Sequence, residues 1–480
     1  MARVVVVGAG VAGLGTALYA GRAGHDVVII ERDDTPLPAD PGEAFLWNRR
    51  GAPQVRHSHA FLARLRNQIR DDHPDVLAAL LDVGATEMDF ISMLPEHMDQ
   101  TRLAGDEDLV ALACRRTTFE WVLRRIVTDE GSTRLVHAAG VRGLLRDTRN
   151  PSERVPVVTG VSLDDGTEEC GDMVVLAGGR RMDVPALVAE VGATVAETAE
   201  DTGIIYLSRF FRLRDGEDHP PQVGPIGGDL GFLKFGVFLG DDRTYSVTLS
   251  TGTDDTELRR KLLDPETFLA AAEQIPGTAA YVDGRAVALT EVEVMGGLIN
   301  RRRDFMVDGS PVVAGVHAVG DAHTATNPLY GRGCSLAMVQ AKAVVEALDA
   351  HGDDHDGRAV HYEAVSATEV VPWHRAAVRQ DRMGRSGPPE GAGDGEAVGD
   401  ATRADFMRSL LRDGLMPAMR VDPVVLRAFL RMFNLLDPPD ALMTNTDVMG
   451  RVLAVYQDKD QRPPEPPLGP DRAELLAHLG

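Results

Sequence analysis

The chain has 480 residues, too many for one ordinary core, and this length predicts two or three interleaved domains. Hydrophobic residues make up 44% and charged residues 26%, as is typical of a soluble globular protein. The net charge of −23 argues against a nucleic-acid partner, because phosphate binding needs a positive surface.

No run of about twenty apolar residues occurs, so we expect no integral membrane segment. The N-terminus enters "RVVVVGAG" directly, without the pattern of a signal peptide, which predicts a cytoplasmic protein. Three cysteines occur, and they lie far apart in the sequence: Cys114, Cys170 and Cys334. His57 and His59 could be considered as metal ligands, but in a strand their side chains would point to opposite faces. We therefore expect neither a disulfide framework nor a bound metal.

The first elements form a β-α-β unit: "ARVVVVGAG" is a buried strand, "VAGLGTALYAGRAG" a helix and "HDVVIIER" a second buried strand. Gly8, Gly10 and Gly13 form the pattern G-x-G-x-x-G. The first permits a tight turn, the second lets a pyrophosphate approach the backbone, and the third lets helix and strand pack closely. Glu31 ends the second strand, where it can accept hydrogen bonds from both ribose hydroxyls. The pattern predicts a bound dinucleotide and leaves NAD and FAD open.

The middle of the chain alternates β-branched and aromatic runs with turns, in "GIIYLSRFFRLRDGEDHPPQVGP" and "LGFLKFGVFLGDDRTYSVTLSTG". These runs predict an antiparallel sheet inserted into the parallel-sheet domain. A further strand in "PVVAGVHAVGDA" precedes a helix from about Pro328 to Ala350. From about residue 355 the pattern is helical, with a mobile surface loop predicted at about 384–403 from its Gly, Pro, Asp and Glu content.

The stretch "VGDAHTATNPLYGRGCSLAM", residues 319–338, has the features of a ligand-binding helix start. Asp321 follows a strand at the edge where doubly wound sheets bind ligands, and Pro328 is compatible with entry into a helix. Gly331 and Gly333 remove side chains from the approach, so the backbone N–H groups near residues 331–335 can face an electron-rich ligand edge. Such a start favours a flavin, whose N1 and C2 carbonyl region becomes negative on reduction.

Taken together, "GAGVAGLGTALYAGRAGHDVVIIER" and "GDAHTATNPLYGRGCSLAM" resemble the FAD-dependent monooxygenase superfamily. Its members include aromatic hydroxylases, squalene- and polyether-type epoxidases, flavin halogenases and geranylgeranyl reductases. Two further segments match: "CRRTTFEWVLRR" resembles the helix that places Arg116 near the FAD phosphates or ribose, and "GAPQVRHSHAFL", with Arg56, resembles the bacterial polyether-epoxidase-like branch. The resemblance implies FAD contacts at Gly8, Gly10, Gly13, Glu31, Arg32, Arg56, Arg116, Gly179, Gly320, Asp321, Pro328, Gly331, Gly333 and Cys334.

The fold class implied is α/β, with a Rossmann-type (GR2-like) FAD-binding domain, an inserted antiparallel-sheet substrate domain and a C-terminal helical region. The expected boundaries are 1–65, 106–190 and 290–352 for the FAD-binding domain, 66–105 and 191–289 for the substrate domain, and 353–480 for the helical region.

Catalytic roles are expected at two positions. His323, two residues beyond Asp321, can reach the reacting edge as a proton donor or polar anchor, although a structural hydrogen bond explains it equally well. The family resemblance implies that Pro328 lies beside the isoalloxazine ring.

The resemblance implies an FAD-dependent monooxygenase that transfers one oxygen atom from a C4a-(hydro)peroxyflavin to a small lipophilic substrate, by epoxidation or hydroxylation in secondary metabolism. The alternatives are a reductase or dehydrogenase of the geranylgeranyl-reductase type and a non-catalytic FAD-binding sensor. The expected partners are the small-molecule substrate, O2 and an electron donor. Leu176 stands in "VVLAGGRRMD" where aromatic hydroxylases carry an acid, so NADH, NADPH and a separate flavin reductase all remain open as donors.

Halogenation is not expected. Flavin halogenases of the superfamily use a lysine within the first hundred residues and a W-x-W-x-I-P motif. In this chain the first lysine is Lys234, and Trp47, Trp121 and Trp373 are isolated.

Overall fold

The computed structural model describes residues 1–149, 155–221, 226–385, 406–458, 460, 462–464 and 468–480. Of the loop predicted at 384–403, residues 386–403 lie outside these described residues. Among the described residues, no helix combines the length and apolar character needed to cross a membrane.

The strands, in chain order, are β1 (Arg3–Val7), β2 (Asp26–Ile30), β3 (Thr86–Asp89), β4 (Val110–Ala113), β5 (Thr133–Val136), β6 (Val141–Arg146), β7 (Val158–Leu163), β8 (Glu168–Cys170), β9 (Met173–Leu176), β10 (Ala196–Asp201), β11 (Ile204–Leu213), β12 (Gly227–Asp229), β13 (Leu233–Leu239), β14 (Thr244–Gly252), β15 (Ala286–Ala288), β16 (Glu293–Met295), β17 (Ile299–Asp304), β18 (Met306–Val307), β19 (Ser310–Pro311), β20 (Val316–Ala318) and β21 (Thr324–Ala325). The helices are α1 (Val11–Arg22), α2 (Pro41–Ala44), α3 (Ala63–Asp72), α4 (Pro74–Asp82), α5 (Arg116–Asp129), α6 (Val184–Glu190), α7 (Thr256–Leu262), α8 (Pro265–Glu273), α9 (Pro276–Ala279), α10 (Gly333–His351), α11 (His355–Glu369), α12 (Val371–Arg385), α13 (Met416–Val421), α14 (Pro423–Phe433), α15 (Ala441–Thr444), α16 (Thr446–Gln457) and α17 (Arg472–His478).

A parallel sheet in the order β20-β9-β1-β2-β5 forms the centre of the nucleotide-binding part. Side chains of β1 alternate between two cores: Val4 and Val6 pack with α1, α5 and α10, whereas Val5 and Val7 pack with β6, β7 and α6. Both faces of the sheet are therefore covered, which explains why its strands read as continuous β-branched runs. This arrangement confirms the predicted Rossmann-type α/β fold class.

A second, antiparallel sheet is inserted between β9 and β20 in the order β12-β13-β14-β11-β15, with β16 also paired to β11. Side chains of β14 alternate: Tyr245, Val247 and Leu249 pack with α7 and α8 in an apolar core. The residues between them are hydroxyl-bearing and face the other way. The insertion confirms the predicted antiparallel sheet, in which strand β14 has one apolar and one hydroxyl-bearing face.

The sequence grouped residues 66–105 with this antiparallel sheet, and that grouping stays a prediction. Helices α3 and α4 bury Leu65, Ile69 and Leu80 in the same core as α1 and α10. The hydroxyl of Tyr19, on α1, donates to a carboxylate oxygen of Asp72 at 2.6 Å. The amphipathic pattern of α3 and α4 predicts a buried face for each helix but does not identify the surface that covers it.

The C-terminal part is helical, as predicted, but its helices contribute to several separate apolar clusters. Tyr362 of α11 joins the core of the parallel sheet, and Leu475 of α17 joins the core of the antiparallel sheet. Residues of α13–α16 form a separate apolar cluster that includes Ala418, Val425 and Val452. The chain end therefore ties the two sheets together.

Candidate active site

A cavity of about 1560 Å³ lies between the carboxyl ends of the parallel strands, the antiparallel sheet and the C-terminal helices. Ligand pockets usually measure about 300–1,000 Å³, so this volume is large enough for a cofactor and a second molecule. Twelve residues that the sequence proposed as cofactor contacts line it: Gly8, Gly10, Glu31, Arg32, Arg116, Gly179, Gly320, Asp321, Pro328, Gly331, Gly333 and Cys334.

The glycines of the first turn divide into two kinds. A Cβ on Gly8 would lie 2.7 Å from the carbonyl oxygen of Ala177, and one on Gly13 would lie 1.8 Å from the carbonyl oxygen of Gly8. These two positions are glycine because backbone packs against backbone. A Cβ on Gly10 would meet nothing within 4 Å and would project at the cavity wall. Gly10 thus leaves room for a ligand, as a pyrophosphate cradle requires.

Two helix N-termini face this cavity without a side-chain cap. Gly10 and Val11 line it at the start of α1, and Gly333 and Cys334 line it at the start of α10. Their unpaired N–H groups and positive dipole ends favour anionic or electron-rich groups. Uncapped helix starts beside an open glycine fit a dinucleotide such as FAD.

Glu31 is buried and belongs to a network that the sequence did not reveal. Its carboxylate accepts hydrogen bonds from the backbone N–H groups of Ala9, at 2.9 Å, and Asp33, at 3.0 Å. The guanidinium of Arg49 forms ion pairs with three carboxylates: it lies 3.1 Å from Asp33, 3.3 Å from Glu120 and 3.4 Å from Glu31. The arginine fixes the acid that would meet the ribose.

Arg116 lies at the start of α5 and lines the cavity. Its Nε donates to Glu120 at 2.7 Å, and its Nη1 donates to the sulfur of Cys334 at 2.6 Å. Burial raises the pKa of Glu120, but the charges of Arg116 and Arg49 outweigh it, so the net shift is downward. The pair keeps a cation beside the start of α10.

Asp321 lies where strand β20 ends and is half-buried at the cavity wall. Its Oδ2 accepts from Arg180 Nε at 3.3 Å and Nη2 at 3.2 Å. Arg180 follows the glycine pair Gly178 and Gly179, which also lines the cavity. Leu176, at the place of the acid in aromatic hydroxylases, has no solvent exposure inside the parallel sheet.

Hydrogen bonds of the Asn327 side chain stabilise the turn 326–333. Asn327 is fully buried, and its Oδ1 accepts from the hydroxyl of Tyr206 at 2.8 Å and from the backbone N–H of Leu329 at 3.0 Å. Its amide nitrogen donates to Asp381 at 2.8 Å. Gly331 has φ +65°, and a Cβ there would lie 2.9 Å from the Cβ of Ala60. Position 331 therefore requires glycine in both conformation and space.

Three predicted site residues are not part of the described cavity lining. Gly13 serves packing, and Arg56 is half-buried in a short turn that begins at Pro53. His323 is 1% exposed; its ring nitrogens contact Thr324 at 2.8 Å, Gln340 at 2.9 Å and Glu363 at 3.4 Å. This position corresponds to the structural hydrogen-bonding alternative, because the imidazole is enclosed behind the cavity wall.

Two histidines of the predicted "QVRHSH" segment do line the cavity. His57 is 6% exposed, and its Nδ1 has no hydrogen-bond partner among the described residues. Burial, and then the nearby charge of Arg180, lower the pKa of His57 to about 4. Burial, and then Arg116, lower the pKa of His59 to about 3. Both rings are neutral at physiological pH.

The part of the cavity beyond the turn is largely apolar. Four hydroxyl groups form a hydrogen-bonded row at this part of the cavity. Ser58 Oγ lies 2.7 Å from Ser246 Oγ and 2.6 Å from Thr248 Oγ1, and Thr248 Oγ1 lies 2.9 Å from Ser208 Oγ. The apolar lining comes from the antiparallel sheet and from C-terminal helices and includes Met88, Phe90, Phe235, Val237, Phe238, Met383, Met416, Met419, Phe429 and Phe433.

Sequence reasoning missed Arg49, Tyr206, Asn327 and Asp381. Arg49 lies in "WNRRG", a loop sequence with no periodic signal, and Asp381 lies 54 residues beyond Asn327, which it contacts. Their roles depend on contacts between distant segments, so no local spacing could have identified them.

Residues 3–92 match the family model of the FAD dependent oxidoreductases. The chain is 26% identical over 403 residues to the FAD-dependent monooxygenase mdpD of Emericella nidulans, covering 77% of this chain and 72% of that protein. Similar solved structures include pqsL, a probable FAD-dependent monooxygenase from Pseudomonas aeruginosa, with a TM-score of 0.56 and 17% identity over 80% of this chain and 95% of that chain. The flavin-dependent brominase Bmp2 has a TM-score of 0.58 and 15% identity over 96% of this chain and 99% of that chain. At these identities the likeness to solved structures is one of fold.

Proposed function

We propose that this chain is an FAD-dependent oxidoreductase that inserts one atom of O2 into a lipophilic organic substrate. The proposal is supported by the match of residues 3–92 to the FAD dependent oxidoreductase model and by the 26% identity to an FAD-dependent monooxygenase. The overall reaction consumes the substrate, O2, two electrons and two protons, and releases the epoxidised or hydroxylated product and water. We propose secondary metabolism as its setting, by analogy with the epoxidase-like "PQVRHSH" segment.

One observation supports this proposal above the others: a single cavity joins a wall of glycines and helix N-termini to an apolar chamber. The first wall suits a dinucleotide, and the second suits a substrate that carries mostly carbon and hydrogen. When bound, reduced FAD supplies the activation of O2. The task left to the protein is to hold the cofactor, keep water out and orient the substrate.

Each part of the first wall has a proposed role. Gly10 and the start of α1 would receive the pyrophosphate, with Arg116 as a nearby cation. Glu31, fixed by Arg49, would accept the ribose hydroxyls. The turn that contains Pro328 and Gly331 would adjoin the flavin ring, and Asp321 would bind the ribityl chain.

The apolar chamber would exclude water from the reacting edge. Its methionines and phenylalanines, among them Met419 and Phe429, adapt to a lipophilic shape. The hydroxyls of Ser208 and Thr248 would orient an oxygen-bearing group of the substrate, since both residues line the cavity from the antiparallel sheet. A fused-ring phenol or a polyene with an oxygen substituent is the proposed substrate class.

The proposed electron donor is NADH or NADPH, used directly or through a separate flavin reductase. Anaerobic titration of the purified holoprotein distinguishes the routes: bleaching by a nicotinamide alone supports direct reduction. Bleaching only after addition of a flavin reductase supports a partner.

The test of oxygen transfer uses ¹⁸O2 and a panel of lipophilic phenols and alkenes, with reduced holoprotein and product analysis by mass spectrometry. One ¹⁸O atom in the product supports the proposal. A product reduced or desaturated without ¹⁸O would replace it with the geranylgeranyl-reductase type of reaction. Purified protein that retains no FAD after incubation with the cofactor would contradict the proposed placement of the dinucleotide.

A further inference from the structure

Arg332 lies between the two glycines of the turn, as the residue immediately before α10. Its side chain is 2% exposed. Its guanidinium carbon lies 4.5 Å from the ring centre of Tyr330 and 4.8 Å from that of Trp373. The cation therefore contacts the faces of two aromatic rings.

The hydrogen bonding of this guanidinium is incomplete. Within the described part of the chain, Nε and Nη1 are buried and have no hydrogen-bond partner. Buried donors normally have partners, and a buried cation costs free energy that ring contacts of about 2 kcal/mol offset only in part. Burial lowers the pKa of Arg332 to about 10, which still leaves it protonated at neutral pH.

Packing alone does not account for an arginine here. The surrounding cluster is apolar and contains Leu62, Leu336, Val370 and Trp373. A methionine would fill a similar volume without burying a charge, and replacing buried charges by apolar groups is often neutral or stabilising. The charge itself is the feature that needs a reason.

An opposite charge contacts the hydroxyl of Tyr330. The hydroxyl of Tyr330 donates to Asp381 Oδ1 at 3.2 Å, and Asp381 also accepts from Asn300 at 2.6 Å and Asn327 at 2.8 Å. Asp381 is 7% exposed. Tyr330 lines the cavity. A buried cation and a buried acid thus contact one cavity-lining tyrosine.

We propose that Arg332 is an electrostatic positioning residue that raises the reduction potential of the flavin, and that Asp381 opposes it. This inference rests on the proposed function, which puts the flavin ring beside the turn 328–333. Reduction adds negative charge to the flavin, and a nearby buried cation stabilises that charge whereas a buried anion destabilises it. Arg332 adds to the positive end of α10, since both lie at the same helix start.

The expected size follows from simple electrostatics. Two unit charges ~10 Å apart in a medium of effective dielectric constant ~20 interact strongly enough to change an equilibrium about tenfold or more. A tenfold change in the ratio of reduced to oxidised flavin corresponds to about 30 mV for a two-electron couple.

The test measures the midpoint potential of bound FAD by anaerobic dye-linked titration in the full-length holoprotein. Arg332→Met should lower the potential by about 30 mV or more, Arg332→Lys should keep it near the wild-type value, and Asp381→Asn should raise it. Arg379→Gln, an exposed position on the same helix as Asp381, is the matched control and should leave the potential unchanged.

Opposite shifts in Arg332→Met and Asp381→Asn support the inference, because a merely structural loosening would not change sign with the charge removed. Shifts in the same direction, or no shift in either variant, overturn it and leave Arg332 a packing residue. If Arg332→Met does not fold, Arg332→Gln and Asp381→Asn decide the matter by the same signs. Wild-type protein that binds no FAD would instead refute the proposed function, and this inference with it.

Discussion

Replacing Arg49 with methionine should destabilise the nucleotide-binding part by about 3–5 kcal/mol. Arg49 is 4% exposed and lies within 3.4 Å of Glu31, Asp33 and Glu120, and its Nη2 donates to the carbonyl of Ala9 at 2.9 Å. Removing the guanidinium leaves three buried carboxylates without this cation. The cost quoted is typical when one partner of a buried ion pair is deleted, because the other charge stays desolvated.

The assay is urea unfolding followed by tryptophan fluorescence, since Trp47 lies 4.9 Å from the Arg49 guanidinium. With an m-value of ~3 kcal/mol/M, the midpoint of the first transition should fall by about 1–2 M. Arg50→Met is the matched control, because Arg50 is exposed and its replacement should cost less than about 0.5 kcal/mol. Equal midpoints for the two variants would refute the reasoning, since they would mean that the three carboxylates do not need Arg49.

The remaining predictions concern the glycines and the buried histidine. Gly10→Ala should fold normally yet bind FAD at least tenfold more weakly, because its Cβ meets no protein atom but faces the cavity, whereas Gly13→Ala should fail to fold, because its Cβ would lie 1.8 Å from a carbonyl oxygen. Circular dichroism measures the folding of both variants, and flavin fluorescence titration measures the FAD affinity of Gly10→Ala. Normal FAD affinity in Gly10→Ala would refute the proposed pyrophosphate cradle. Gly331→Leu should lose bound FAD or its activity, as measured by the flavin-to-protein absorbance ratio, while Gly450→Leu, at an exposed helical position with open space, should keep both. His57 has a pKa of about 4 in the folded protein and 6.5 when unfolded, so its contribution to stability is complete above pH 6.5 and is lost as the pH falls from 6.5 towards 4, at up to about 1.4 kcal/mol per pH unit. His57→Gln should therefore show a smaller drop in urea midpoint between pH 7.5 and pH 5 than the wild type, and an unchanged drop would contradict the buried neutral imidazole.

The parallel-sheet part of the fold could be predicted from local pattern because its physical causes are local. A strand buried on both faces needs a continuous β-branched run, and the first turn needs glycine at position 8 because a Cβ there would reach the carbonyl of Ala177. The same reasoning located Asp321 and Gly331 at a helix start, where the structure does bring them to the cavity wall. These features depend on a few consecutive residues, so spacing reveals them.

Other features depend on contacts with segments that are distant along the chain, and local sequence patterns do not identify those contacts. His323 lies two residues from Asp321, yet its ring turns to Gln340 and Glu363 behind the wall, because the side chains at successive positions of a strand or turn point in different directions. The sequence did not identify the surface against which helices α3 and α4 pack, because an apolar helix face can pack against any apolar surface.

The sequence by itself determined the Rossmann-type fold, the dinucleotide turn and the inserted antiparallel sheet, because backbone sterics and hydrophobic periodicity act over short distances along the chain. Only the tertiary structure decided that Arg49 would hold Glu31, that Asp381 would reach Asn327, and that a hydroxyl row and an apolar chamber would meet the cofactor wall in one cavity. The contacts Arg49–Glu31, Asn327–Asp381 and Ser58–Thr248 join residues that are 18, 54 and 190 positions apart. Such contacts are selected by the packing of the whole chain rather than by any local preference.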